Sequence, residues 1–330
     1  MIDVSFIIVS WNAREYLLEC LESIPLTVEN CTYEIIVVDN DSSDGSPEAV
    51  EQRYPNARLI RTGSNLGFAK GNNIGIRESS GRFLCLMNSD VVLRRGCIDR
   101  LYERMRDNPK AGMMGPRVLN ADGSLQPSCR RFPSLFRSLC SALGLSSLNP
   151  MSSLLGGTFM TWWNHDDSRR VDVISGCFMF VQRRAIEQVG LLDEAFFMYG
   201  EDIDWCRRFN EGRWQVAFNP AAEAIHYGGA SSSNCPVSMY VAMQESRFKY
   251  WKKHHGAFSR IGLASITLLH HGIRIAARSV LYVAVRADRR ENASKIRRSY
   301  AAIVWLLSGA AEINGQRNRL DGPSGFGVET

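Results

Sequence analysis

Nothing about the cysteines of this 330-residue chain points to a cross-link or a thiolate metal site. Cys20, Cys31, Cys85, Cys97, Cys129, Cys140, Cys177, Cys206 and Cys235 are scattered, no two form a C-x-x-C pair, and several sit inside apolar runs. That usage suits small reduced hydrophobes, not a disulfide framework or a zinc site. Long apolar runs are also lacking. The first, Val4 to Val9, lies between Asp3 and the polar Ser10 and Asn12, too short for the core of a signal peptide. The cytoplasm is therefore the expected compartment. Ile261 to Val285 is longer but holds His270, His271, Arg274 and Arg278, which are costly in a spanning helix. The glycines of Gly63–Gly71 fit neither the G-x-G-x-x-G nor the Walker A spacing, which disfavours dinucleotide and P-loop readings. No internal repeat is visible.

What is present is a globular composition, 45% hydrophobic and 22% charged, with room for one large or two modest domains. The net charge of +5 conceals an asymmetry: residues 246–300 hold thirteen Lys or Arg against two acids, +11 locally, which leaves −6 for the rest. A basic tail on a mildly acidic body implies an anionic partner.

Along the first ninety residues, apolar strands alternate with helical patterns. Val4–Val9, Glu34–Val38, Ala57–Arg61 and Phe83–Met87 read as strands, with helices over 13–24, from Pro47 to about Arg53, and after Asn73 to about Ser79. Such alternation predicts an α/β fold with a mostly parallel, doubly wound sheet. A helix after Gly96 and extended structure over 112–119 follow. Residues 120–170, rich in Ser, Pro, Gly, Arg and Trp, break the rhythm and read as a variable insertion at the mouth of a crevice. Strand pattern returns over 171–181 and 214–218, and helices are expected from about Met239. The implied division is an α/β domain over 1–238 and a basic helical region over 239–330.

In open α/β sheets ligands bind outside the carboxyl ends of the strands. Ser10 and Asn12 follow the first strand, Asp39 ends the second, and Asn88, Ser89 and Asp90 follow the fourth. A carboxylate delivered there by a rigid strand can hold a divalent cation against a diphosphate; equally, Asp90 can start a turn or cap the helix near Gly96. Asn65, Gly67, Lys70 and Asn73 can approach a nucleotide, with Lys70 neutralising phosphate. Glu201 and Asp202 are either chemically active or first-turn helix acids favoured by the dipole. Trp162 and Trp163 suit stacking on a sugar or lipid, or simple packing, and Trp205 suits the core.

Seven blocks together carry a resemblance. They are Val9–Asn12, Val38–Ser46, Asn65–Gly75, Leu86–Asp90, Ser175–Met179, Phe196–Trp205 and His226–Gly229. Over roughly residues 3–230 the chain resembles a family 2 glycosyltransferase of the GT-A fold, most of all the bacterial rhamnosyltransferase-like branch that assembles O-antigen and cell-wall polysaccharide. The resemblance implies that Asp90 ends a D-x-D-type motif binding Mg²⁺ or Mn²⁺ on the donor diphosphate, with Asn88 where the general motif has Asp. It implies Asp202 as the general base of an inverting transfer and aligns His226 with a residue that completes the metal shell in some relatives. It also implies a nucleotide-sugar donor, dTDP-L-rhamnose first and a UDP- or GDP-sugar otherwise, and a polyprenyl-diphosphate-linked saccharide acceptor. A nucleotidyltransferase would carry a Gly-rich, basic loop where Ser10-Trp11-Asn12-Ala13 stands. A non-catalytic binding relative would have no need of Asp39, Asp90 and Asp202.

For the tail, cationic and apolar residues interleaved over 246–300 fit an amphipathic surface that meets anionic lipid at the inner face of the cell membrane. A helical cap on the catalytic domain is the other reading. No nucleic-acid motif accompanies the charge, so nucleic acid is not expected as a partner.

Overall fold

Runs of β-branched and apolar residues become strands where both faces of the pleat can be buried, and three such runs, edged by a fourth and only partly buried strand, build the half of the sheet that carries the site. The structure is a computed structural model describing residues 2–228, 237–285 and 288–308. In chain order, β1 (Val4–Ser10), α1 (Arg14–Thr27), β2 (Tyr33–Asp39), α2 (Ser46–Arg53), β3 (Arg58–Arg61), α3 (Phe68–Glu78) and β4 (Phe83–Asn88) form the first half. β5 (Val91–Leu93), α4 (Cys97–Asp107), β6 (Ala111–Leu119), β7 (Cys129–Arg130), α5 (Leu135–Ala142) and α6 (Leu145–Leu148) follow. Then come β8 (Arg169–Arg170), β9 (Val173–Ile174), β10 (Phe178–Gln182), α7 (Arg183–Val189), α8 (Glu201–Glu211) and β11 (Gln215–His226). The last helices are α9 (Val237–His254), α10 (Ala257–Ala284) and α11 (Arg289–Ser308).

The main sheet runs β3-β2-β1-β4-β10-β6-β11-β5, with β8 on β11. β3, β2, β1 and β4 are mutually parallel, β10 is antiparallel to both neighbours, and β6 and β11 are parallel. The mostly parallel, helix-flanked sheet expected from the sequence is what forms. Side chains alternate across it with period two. Phe6, Ile8, Phe83, Cys85 and Met87 pack with α1 and α4 on one face, while Ile7, Leu84 and Leu86 pack with α3 and α8 on the other. Trp205 lies fully buried in this second layer, and its indole N–H donates to Gly190 O at 2.9 Å. Trp163 is also packed, against His165 and Phe218.

Two elements differ from the sequence reading. Val91–Leu93 forms a short strand, antiparallel to β11, which three residues are too few to announce. The extended run read over 214–218 belongs to a longer strand, β11, which continues to His226 and whose register shifts between Asn219 and Glu223. Pro220 has no N–H to contribute to a ladder, and an irregularity accommodates it.

The chain divides into two compact units. One holds Met1–Phe132 and Thr158–Gly229, and the other holds Pro133–Gly157 with the residues from Ala230 onward. In the second unit Val237 and Val241 of α9 pack with Ala301 and Trp305 of α11. α10 buries Leu263, Thr267 and His271, spaced four apart on one face. Burial, reinforced by the neighbouring positive charges, lowers the pKa of His271 to about 4. Among the described residues no helix is long and apolar enough to cross a membrane. Gly229 and Cys235 lie outside the described residues.

Candidate active site

Parallel register gathers the polar residues that end the strands. Ser10 stands opposite Asp39, and Val9 opposite Asn88, so the carboxyl ends of β2, β1 and β4 form one edge. Asp39 is buried there, and its Oδ2 accepts from the Ser42 N–H at 3.1 Å. Asp39 Oδ1, Ser10 Oγ and Asn40 Oδ1 are buried without a hydrogen-bond partner. Buried polar atoms are costly when unsatisfied. Three unpartnered acceptor-capable oxygens on residues at this edge therefore mark places for a ligand rich in donors, such as the N–H groups of a base or ribose hydroxyls.

The neighbouring loops are braced from within. Asn12, at φ +50°, donates its N–H to Ser42 Oγ at 2.9 Å, and its Oδ1 accepts from the Ser43 N–H at 2.8 Å. Asn65 Oδ1 accepts from the Gly67 N–H at 3.0 Å, and the Gly67 carbonyl accepts from Asn40 Nδ2 at 3.2 Å. Gly67 has φ +80°, and a Cβ there would lie 2.3 Å from the Phe197 carbonyl oxygen. That same carbonyl accepts from the Phe68 N–H at 2.8 Å. Glycine is required on both counts. Lys70 is exposed on the first turn of α3, whereas Asn73 is buried one turn on. The Asn73 amide is engaged by Leu192 and Glu194: Nδ2 donates to Leu192 O and Glu194 Oε1, each at 2.9 Å, and Oδ1 accepts from the Leu192 N–H at 3.1 Å. Asn12, Asn65 and Asn73 thus hold loops in place, while Ser10, Asp39 and Lys70 retain groups directed outward or unpartnered.

Asn88 ends β4 and Ser89 and Asp90 turn the chain into β5, facing the end of β11. His226 Nε2 lies 3.2 Å from Asp90 Oδ1 and 3.3 Å from Asn88 Nδ2. On the other side of the ring, Nδ1 is 2.6 Å from Gln126 Oε1. The orientation of that amide follows from its partners, because Gln126 Nε2 faces the oxygens of Asn120, His226 and Gly228. Gln126 Oε1 therefore accepts from Nδ1–H, which leaves the Nε2 lone pair directed at Asn88 and Asp90. Gly228 leaves space for the ring, since a Cβ there would lie 2.2 Å from His226 Cε1.

Among the described residues no group of three or more His, Cys, Asp or Glu is arranged to hold a metal unaided. The donors that are present nevertheless fit a divalent cation shared with a ligand. A carboxylate oxygen and an imidazole lone pair 3.2 Å apart attract only with a cation or proton between them. One or two protein donors, completed by phosphate oxygens and water, are usual for such ions. Gln126 is the outer partner that fixes the imidazole.

Asp202 stands at the start of α8, behind Gly200 at φ +90°. It is buried and forms an ion pair with Arg130 of β7. Its Oδ2 also accepts from the Gly176 N–H at 3.1 Å, and its Oδ1 from the Ile203 N–H at 2.8 Å. Glu201 is buried beside it with Oε2 unpartnered. Burial first, then the charge of Asp202, pushes its pKa up to about 8. The Ser175–Cys177 turn connects the two acidic places. Its Gly176 N–H binds Asp202, and the next carbonyl, of Cys177, accepts the Asn88 N–H at 3.0 Å. The turn therefore joins Asp202 to the end of the strand that leads to Asp90, far from it in sequence.

Two participants had no assigned role in the sequence. Arg130 is one of two adjacent arginines with nothing beside it to mark a partner, and Gln126 gave no local signal, because its partner is 100 residues away.

Comparison with known proteins shows the family and the fold. The family model described as Glycosyl transferase family 2 matches residues 5–154. The N-acetylglucosaminyl-diphospho-decaprenol L-rhamnosyltransferase of Mycobacterium tuberculosis is 32% identical over 268 residues, covering 77% of this chain and 86% of that one. Rhamnosyltransferase WbbL of Escherichia coli is 27% identical over 257 residues, covering 75% of this chain and 92% of that one. Among solved structures, the mannosyltransferase PcManGT of Pyrobaculum calidifontis, in complex with GDP-Man and Mn²⁺, matches with a TM-score of 0.55 at 15% identity. That alignment covers 93% of this chain and 89% of that one, and shows a shared fold.

Proposed function

Since this chain belongs to glycosyl transferase family 2 and is a glycosyltransferase, we propose that it is an inverting rhamnosyltransferase. Its donor is dTDP-L-rhamnose and its acceptor a polyprenyl-diphosphate-linked saccharide in cell-surface polysaccharide assembly. The names of the mycobacterial and E. coli relatives support the sugar, and the mycobacterial name supports the acceptor class. The observation that carries the chemistry is the Gly176–Cys177 link, which ties the Asn88–Asp90 turn to Asp202.

Asp39, Ser10 and Asn40 receive the nucleoside through their unpartnered oxygens. Lys70 meets the phosphates. Asp90 and His226 hold Mg²⁺ or Mn²⁺, which when bound offsets the charge of the diphosphate. Asp202, ion-paired with Arg130, accepts the proton of the acceptor hydroxyl as its oxygen bonds to the anomeric carbon. The bond from that carbon to the diphosphate oxygen breaks, and the nucleoside diphosphate leaves with the electron pair. Glu201 stays protonated beside Asp202, because one cation cannot neutralise two buried carboxylates. The reaction takes place at the inner face of the cell membrane, where such acceptors are built.

Thermal shift across a panel of nucleotide sugars with Mn²⁺, followed by transfer to a lipid-linked saccharide, tests the proposal. dTDP-rhamnose should stabilise the protein most, and the product should have the anomeric configuration opposite to the donor's. Preference for a UDP- or GDP-sugar would overturn the donor, and retention of configuration would overturn the mechanism.

A further inference from the structure

The stretch Pro133–Gly157 is nearly free of charge: Arg137 is its single charged side chain, among seven leucines, a phenylalanine and a methionine. A segment of that composition normally lies in a core, yet here it covers little of itself. Phe136, Leu139 and Leu143 on and just after α5 are exposed, and Leu148, Met151 and Leu154 are 80%, 65% and 64% exposed. Single exposed apolar residues are ordinary, but six large ones in nineteen consecutive residues without an acid are not.

This excursion is fastened to the basic helices of its own unit. Leu135 lies against Gly262 of α10, and Arg247 of α9 donates to Ser138 Oγ at 2.9 Å. Residues 246–300 carry thirteen Lys or Arg against two acids. Apolar side chains without charge, anchored on a strongly cationic scaffold, complement an anionic bilayer: headgroups attract the scaffold, and hydrocarbon takes the apolar side chains. A protein partner would need only one of these two properties.

We infer that the 133–157 excursion is a membrane-inserting element, by which the second unit enters an anionic bilayer while its basic helices bind the headgroups. It deepens the reading of a lipid-linked acceptor and rests on that reading for its purpose. The basic tail alone would give salt-sensitive adhesion. The excursion adds an attachment that salt does not screen.

The test is flotation of the full chain with vesicles of phosphatidylcholine and phosphatidylglycerol, or of phosphatidylcholine alone, at low and molar salt. The variant combines Leu148→Asp, Met151→Asp and Leu154→Asp, all at exposed positions, with unchanged thermal melting as the check on folding. A second variant with Leu148→Ile, Met151→Leu and Leu154→Ile keeps the apolar character. Wild type and the apolar variant should keep a bound fraction in molar salt. The Asp variant should lose it by about tenfold or more, since withdrawing even one such side chain from hydrocarbon has that effect. Equal salt-resistant flotation of the Asp variant, or no flotation of the wild type, would overturn the inference. So would light scattering showing that the Asp substitutions only split a dimer and leave flotation unchanged. Nucleotide-sugar turnover on the same preparations separates the two readings: flotation as expected without turnover counts against the proposed function alone.

Discussion

Asn73 and Leu192 grip each other through both ends of one amide, Nδ2 to the Leu192 carbonyl at 2.9 Å and the Leu192 N–H to Oδ1 at 3.1 Å. The grip joins the third helix to the segment that leads to Asp202. Nearby, Arg208 donates to the carbonyls of Val189 and Leu191 and pairs with the fully buried Asp204. A polar residue of α3 thereby holds the segment that leads into α8.

Asn73→Ala should leave both main-chain groups of Leu192 buried and unpaired, at a cost of about 1–3 kcal/mol. Urea unfolding measures that loss. Turnover should fall more than donor affinity does, because the displaced segment leads to Asp202. Unchanged stability would show that the amide is not a clamp.

Asp90→Ala should abolish the Mn²⁺ dependence of dTDP binding without unfolding the protein. Gln126→Ala should weaken Mn²⁺-dependent binding by about 10–100-fold, the usual effect of losing the outer partner of a metal-binding imidazole. Calorimetry with dTDP, with and without Mn²⁺, reads both. An affinity and Mn²⁺ requirement unchanged in Asp90→Ala would remove this residue from the metal site, and an unchanged Gln126→Ala would remove Gln126 from it.

Glu201 gives the fold a pH dependence whose sign is fixed. Its carboxyl is protonated in the folded chain up to about pH 8 and ionises near 4.5 when free. The unfolded chain binds fewer protons between these values, so the contribution of Glu201 is fully present below 4.5 and is lost as the pH rises through about 8. Glu201→Gln, which cannot ionise, should gain on the wild type between pH 6 and pH 9, by on the order of a few kcal/mol. Denaturant unfolding at the two pH values checks this, and a constant difference would contradict it. Turnover of Glu201→Gln should survive, because proton acceptance is assigned to its neighbour.

The half of the fold that bears the site was legible because Val4–Val9, Glu34–Val38 and Phe83–Met87 are apolar runs closed by polar residues, a pattern that states strand, burial and edge together. The places of Ser10, Asp39 and Asp90 followed from it. Contacts made across long stretches of chain were not legible. Nothing near Gln126 or Arg130 reveals a partner at His226 or Asp202. Asn73 reads as a ligand in a polar block, because sequence does not show which helix face meets the 190–200 segment. The 120–170 stretch reads as one insertion from its composition, although its middle, Pro133–Gly157, belongs to the second compact unit.

The central claim is that Asp202 takes the acceptor proton in a crevice that binds the donor independently of it. Asp202→Asn preserves the shape and removes the base. Its turnover with dTDP-L-rhamnose and a lipid-linked acceptor should fall by about a hundredfold or more, while dTDP affinity in Mn²⁺ stays close to that of the wild type. Near-normal turnover in the Asn variant would contradict the account.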